Sequence, residues 1–388
     1  MILGDDYPEI RDAVRKLCED FPAAYWQALD DEPPESSYPT DFITALTESG
    51  FLGALIPEEY GGSGLPLRAA AVILETIHST AATASAAHAQ MYTMGTVLRH
   101  GSEEQKKTYL PKIASGELRL QAFGVTEPTT GSDTTQLKTR AEKTADGYRI
   151  NGQKIWTSRA AHSDLMLLLA RTTPAEQCKR RTDGISTFLI DLREAKGNGC
   201  EIHPVKAMIN HNTTQVFFDN LDIPASALVG EEGRGFRYIL DGMNAERCLI
   251  AAEAIGNGRY FIEQAVKYAT DREVFGRPIG SNQGIQFPIA EAHAQIEAAD
   301  LMVRKGCALF DADEPCGSEA NMAKYLAAEA SWAGAQACFD TFGGFAFAAD
   351  YDIERKWRET RLFRTAPISA NMVLNYIAQH VLGLPRSY

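Results

Sequence analysis

The chain has 388 residues, 45% of them hydrophobic and 23% charged, and a formal net charge of −13. That length implies two or three structural units with ample core, the acidic balance disfavours a general nucleic-acid binder, and no run approaches the ~18 consecutive apolar residues of a membrane span. Seven cysteines without a CxxC pair argue against a disulfide framework or zinc ribbon and for a reducing compartment.

The N-terminus, MILGDDYPEIRDAVRKL, opens on acidic residues and reads as an amphipathic helix rather than a signal or Arg-rich transit peptide. A cytoplasmic location is expected, although a mature organellar protein would read the same way. From about residue 5 to 119 the period is helical, broken at Pro33-Pro34 and in the turn-rich segment from Pro57 to Gly64. Residues 69–98 are rich in Ala, Ser and Thr, which lets helices pack closely. Glu75, His78 and His88 within that stretch read as polar positions of a bundle helix, because no HExxH or paired ExxH spacing supports a metal site.

Between about 120 and 224 the period becomes that of strands. Asn151-Gly152 lies between two apolar-alternating arms in the segment Tyr148 to Trp156 and predicts a hairpin. Further strands are expected over 164–171, 185–192 and 215–219, and the run Leu165 to Ala170 reads as a core strand. After Ile223-Pro224 the helical period returns, starting near Gly233 and broken near Gly276-Arg-Pro278 and Pro315-Cys-Gly317. The chain is therefore expected to divide into a helical domain (1–119), a β domain (120–225) and a second helical domain (226–388), an α+β class. Neither GxGxxG between a strand and a helix nor a GxxxxGK phosphate loop occurs in context. Gly256-Asn-Gly258, inside a helical pattern, reads as close helix packing.

The segment Phe123-Gly-Val-Thr-Glu-Pro-Thr-Thr-Gly-Ser-Asp133 resembles a signature of the acyl-CoA dehydrogenase family, and Asn151-Gly-Gln-Lys-Ile-Trp-Thr-Ser158 follows at the expected distance. The resemblance continues through Asp271-Arg-Glu-Val-Phe-Gly-Arg-Pro278, Gln283, Phe342-Gly-Gly344 and the segment Tyr351 to Arg361. It implies a central β-barrel-like domain between helical domains, the last a four-helix bundle. It also implies one FAD per subunit between the β domain and the C-terminal helices, in a homotetramer whose neighbouring subunit completes the site.

By that resemblance Phe123 is a cofactor position, the backbone and hydroxyl of the Val125-Thr126 strand meet the edge of the isoalloxazine ring, and Trp156 and Ser158 sit against its other side near N5. A ring that accepts hydride needs donors favouring negative charge and an aromatic wall that keeps it dry. Phe123 stands where the family often has Tyr, and Ser158 replaces the common Thr. Arg272 matches the arginine that reaches the FAD pyrophosphate of the adjacent subunit. Phe275, Gln283, Gly343, Gly344, Ser369 and Asn371 match further cofactor positions. Asp340 departs from the usual Gln. Ser132 matches a hydroxyl near the cofactor and the CoA chain, and Asn244 and Arg247 match positions near the pantetheine and thioester.

Removing the α-proton of a thioester requires a base. Many family members place that Glu late in the chain, and alignment through Arg358-Glu-Thr-Arg361 puts Pro367 there. A minority resembling the isovaleryl-CoA and long-chain enzymes supply it from an earlier helix, directly before an Arg. Here that site reads Asn244-Ala-Glu246-Arg247. Phe236, Ile239, Met243, Glu246 and Ile250 recur at spacings of three and four, so Glu246 falls on the inward stripe. Arg247 points about 100° away from it. The expected activity is FAD-dependent α,β-dehydrogenation of an acyl-CoA, with Glu246 as base and electrons passed to an electron-transferring flavoprotein. The alternatives are an oxidase or monooxygenase on the same scaffold and a non-catalytic flavin-binding scaffold.

Overall fold

The computed structural model describes residues 6–387. Met1 to Asp5, where the N-terminal reading begins, lie outside the described residues. Six helices open the chain: α1 (Pro8–Glu19), α2 (Ala23–Asp31), α3 (Thr40–Glu48), α4 (Leu67–His78), α5 (Ser85–His100) and α6 (Glu103–Ala114). Strands follow: β1 (Leu120–Gly124), β2 (Arg140–Lys143), β3 (Gly147–Ser158), β4 (Leu165–Arg171), β5 (Ile185–Asp191), β6 (Cys200–Pro204), β7 (Thr213–Pro224) and β8 (Leu228–Val229), with the short α7 (Leu192–Ala195) after β5. The chain then returns to helix in α8 (Gly235–Asp271), α9 (Gln283–Asp311), α10 (Gly317–Phe342), α11 (Ile353–Phe363) and α12 (Ala370–Tyr376), interrupted by the small hairpin β9 (Glu273–Val274) and β10 (Arg277–Pro278). Helix, sheet, helix is the order the periodicity predicts, and the breaks fall near 276 and 316. Among the described residues no helix is long and apolar enough to cross a membrane.

Two compact units emerge: Met1–Ala28, Pro66–Ala84 and Asn244–Tyr388 form one, and Leu29–Leu65 with Ser85–Met243 the other. The second is built on one mixed sheet of order β6-β7-β3-β2-β4-β5-β8, with β1 parallel to β4. The sheet stays open and does not close into a barrel. Its end strands β6 and β8 are only five and two residues long, and among the described residues no pairing joins them. Leu165 to Ala170 are wholly buried, because β4 is flanked by β1, β2 and β5 and covered on both faces, which explains a continuous apolar run rather than alternation.

The predicted hairpin at Asn151-Gly152 is not there. β3 runs unbroken through both residues because β7 pairs with it along its length, and the dipeptide instead makes a bulge between Ile150 and Gly152. Gly152 is required at that bulge: its φ is +150°, and a Cβ would lie 2.6 Å from Thr139 Cα. The turn sits earlier, at Thr144 to Gly147, where the Thr144 N–H donates to Gly147 O at 2.9 Å and the Gly147 N–H to Thr144 Oγ1 at 3.1 Å.

In the helical unit every residue of α4 is buried. Gly256 allows α8 to touch it, since a Cβ there would stand 2.0 Å from the Glu75 carbonyl oxygen. Gly258 likewise meets Ile296 of α9 and Ser331 of α10, so both glycines serve close packing as expected. Glu75 is indeed a polar bundle position: its carboxylate receives Arg11 at 2.8 Å, Arg259 and, at 3.9 Å, Arg68. All seven cysteines are free thiols, six of them buried.

Candidate active site

The sheet unit assembles one part of the predicted site where the chain leaves β1 and passes β3. Phe123, the penultimate residue of β1, has its ring edge-on to Tyr92, centroids 5.8 Å apart. Phe123 and Val125 both pack against the cluster of Leu137, Leu169, Ile185 and Ile239. The Thr126 carbonyl accepts the Ile155 N–H at 2.9 Å, which ties the segment to β3. At the next residue β3 departs from its ladder, skipping Trp156 between Ile155 and Thr157. Trp156 has φ +59°, a costly conformation for an aromatic residue, and leaves 59% of its surface exposed. Trp156 is thus an exposed aromatic face in a strained backbone conformation beside the 125–126 peptide. Ser158 rejoins the ladder opposite Thr213 and is half-buried. Ser132 lies exposed in the loop before a short 3-10 turn whose cap is Asp133.

Two buried charges support that segment which the sequence reading passed over. Lys154, fully buried, donates from Nζ to the Val125 carbonyl at 3.0 Å and to Glu127 Oε1 at 2.8 Å. Glu127 also accepts the backbone N–H groups of Lys138 at 2.6 Å and Thr139 at 2.9 Å. Burial pulls Lys154 down to about 8, with the Glu127 charge and hydrogen bond opposing the fall.

The helical unit carries the other predicted residues. Glu246 faces inward from α8, only 6% exposed, in phase with buried Ile250 as the stripe predicts. Asn244 Oδ1 accepts from Arg247 Nη1 at 3.2 Å. Burial lowers the Arg247 pKa, opposed first by Glu246 and then by Tyr376. Lys324 of α10, also buried, donates from Nζ to the Ile368 carbonyl at 2.6 Å, beside Ser369. Ser369 caps α12 by accepting the Met372 N–H, and Asn371 is exposed on its first turn. Arg272 is exposed with its guanidinium 5.9 Å from the centre of the Phe345 ring, which places it beside Gly343 and Gly344. Both of those glycines have open space where a Cβ would be, and Gly343 has φ +57°. Phe275 projects fully into solvent from the β9–β10 hairpin with φ +54°, Gln283 is exposed at the start of α9, and Asp340 is exposed near the end of α10. Pro367 is exposed as well and offers no carboxylate.

Lys324 carries a pH signature. Burial pulls it down to about 8, against the opposing charge of Glu246. Below that pH both folded and unfolded chains hold the proton and the burial penalty is present in full. Between about 8 and the ordinary lysine value near 10.4 the folded chain releases a proton that the unfolded chain keeps, so stability rises with pH. Wild type should therefore gain stability relative to Lys324→Met across that window, measured by urea denaturation at a series of pH values. Parallel curves would show that Lys324 does not titrate there.

The N-terminal, middle and C-terminal domain models of acyl-CoA dehydrogenases match residues 4–117, 122–221 and 233–382. The chain belongs to the acyl-CoA dehydrogenase family. It is 34% identical to the acyl-CoA dehydrogenase FadE12 of Mycobacterium tuberculosis, over 98% of each chain. It is 35% identical to a cyclohex-1-ene-1-carbonyl-CoA dehydrogenase of Syntrophus aciditrophicus, over 84% of this chain and 78% of that one. Among solved structures, a glutaryl-coenzyme A dehydrogenase in complex with glutaryl-CoA superposes with a TM-score of 0.89 at 30% identity, covering 100% of this chain and 98% of that one. FAD is the cofactor of this acyl-CoA dehydrogenase family, and the exposed, strained Trp156 beside the Val125–Thr126 peptide fits it.

Proposed function

We propose that this acyl-CoA dehydrogenase oxidises its acyl-CoA substrate to the trans-2-enoyl-CoA with Glu246 as the α-proton-abstracting base, and that its electrons leave to an electron-transferring flavoprotein. The observation that carries the assignment is a carboxylate buried on the inward face of α8 in a chain whose late base position holds Pro367. Glu246 takes the α-proton as the α C–H bond breaks, and the bonding pair becomes the new double bond. FAD, when bound, supplies the acceptor for the hydride that leaves the β-carbon. Arg247 and Asn244, linked to each other across the turn that carries the base, are placed to hold the polar substrate chain. Lys324 provides a positive charge that interacts with the charge of Glu246.

Phe275 and Arg272, both exposed, support a homotetramer in which a second subunit covers them and receives the guanidinium. Two of the relatives named above act on a cyclic and a dicarboxylic thioester, so the substrate panel should extend beyond straight chains. Anaerobic titration with straight, branched and aromatic acyl-CoAs should bleach the flavin band of the purified protein. A flavin that no thioester bleaches would sink the dehydrogenase reading, and rapid peroxide formation during turnover would favour an oxidase.

A further inference from the structure

The sheet unit holds a lysine–glutamate pair that the reaction as described does not use. Lys154 is wholly buried and spends one hydrogen bond on a backbone carbonyl, that of Val125, at 3.0 Å. Its other partner, Glu127 at 2.8 Å, is anchored by the N–H groups of Lys138 and Thr139. A structural ion pair needs no contact with the 125–126 peptide, yet the ammonium is aimed at it. On the opposite side of that peptide the Thr126 N–H meets no acceptor among the described residues, although the neighbouring Thr126 carbonyl is paired with Ile155. The peptide therefore receives a charge-assisted bond at its oxygen and presents its N–H outward, next to exposed Trp156.

We propose that Lys154, held charged by Glu127, is a positioning residue that acts on bound flavin through the Val125–Thr126 peptide, fixing its orientation and strengthening the Thr126 N–H as a donor to the electron-rich edge of the reduced ring. An ammonium donating to a carbonyl makes a bond roughly twice as strong as a neutral one. It also polarises the amide, so that hydrogen bonds in series reinforce one another, by about 10–30% per bond. A donor preorganised toward developing negative charge favours the reduced state more than the oxidised one. The charge and hydrogen bond of Glu127 oppose the fall that burial imposes on the lysine. This inference rests on the reading that the site binds FAD.

The test compares wild type with Lys154→Met and Glu127→Gln, using flavin-fluorescence titration of apoprotein with FAD, the two-electron midpoint potential of the reconstituted protein, and thermal unfolding of the apoprotein. Both variants should bind FAD about tenfold more weakly. They should also lower the ratio of reduced to oxidised cofactor by about tenfold at a fixed potential, a shift of about −30 mV for a two-electron couple. Lys154→Arg, which keeps the charge, should recover most of that shift and serves if the other two fail to fold. Variants that lose thermal stability but keep the wild-type potential would overturn the proposal and leave the pair a structural one. If wild-type apoprotein itself takes up no FAD, the flavin reading falls first and the proposal with it.

Discussion

Glu246→Gln is expected to yield protein that still binds FAD and an acyl-CoA but turns over about 10²–10⁴ times more slowly, the range for loss of a positioned general base. The carboxamide has nearly the shape of the carboxylate, so α8 keeps its packing against the residues around Ile250, but it has no basic oxygen for the α-proton. The effect should fall on kcat and kcat/KM together, because proton abstraction belongs to the transition state and not to substrate binding. The alternative role, a structural counter-charge for Lys324, makes a different prediction. Removing one partner of a buried pair destabilises the fold by about 3–5 kcal/mol while leaving the chemistry of folded molecules intact. Single-turnover bleaching of the flavin by an anaerobic acyl-CoA, together with a urea melt of the same preparation, separates the two. Near wild-type bleaching would exclude Glu246 as the base.

The largest loss of stability is expected at Glu75. Its carboxylate has 2% side-chain exposure and accepts from Arg11 at 2.8 and 3.1 Å, with Arg259 and Arg68 also against it. Burial by itself would lower the Arg11 pKa, and the hydrogen bonds and charges of Glu75 and then Asp6 together more than reverse that fall. Arg259 spreads its charge further, to Glu297 at 3.0 Å and Asp300 at 3.3 Å. Glu75→Gln removes the one negative charge on which the three guanidinium groups converge and should cost about 3–5 kcal/mol in urea unfolding. The penalty comes from leaving three clustered guanidinium groups with, among the described residues, only Asp6, Glu297 and Asp300 as counter-charges, so added salt should recover little of it. A loss under about 1 kcal/mol would place the network among ordinary surface pairs.

Glu246 could be found without a structure because a helix of regular period turns sequence spacing into direction. Ile239, Glu246 and Ile250 share one face at any helix position, and all three are buried. Lys324 was legible in the same way and was passed over: it is in phase with Ala320, Ala327 and Ser331, all buried, so a lysine on that stripe could have been flagged. The strand region was harder. Asn151-Gly152 has the composition of a turn, but composition describes what a dipeptide tolerates and not whether a partner strand runs past it. β7 does run past it, and the glycine's conformational freedom is used for a bulge instead.

By itself the sequence determined the family, the order of helical and stranded segments, and the inward phase of the residues on α8, because these depend on short-range periodicity and on motifs contiguous in the chain. The tertiary structure alone decided which charges meet. Arg11 and Arg259 converge on Glu75 from two distant helices, and Lys154 reaches Glu127 and Val125 from a neighbouring strand. Such pairs stabilise the fold only once water is excluded around them. Their partners are therefore chosen by packing between distant segments, which no local pattern encodes.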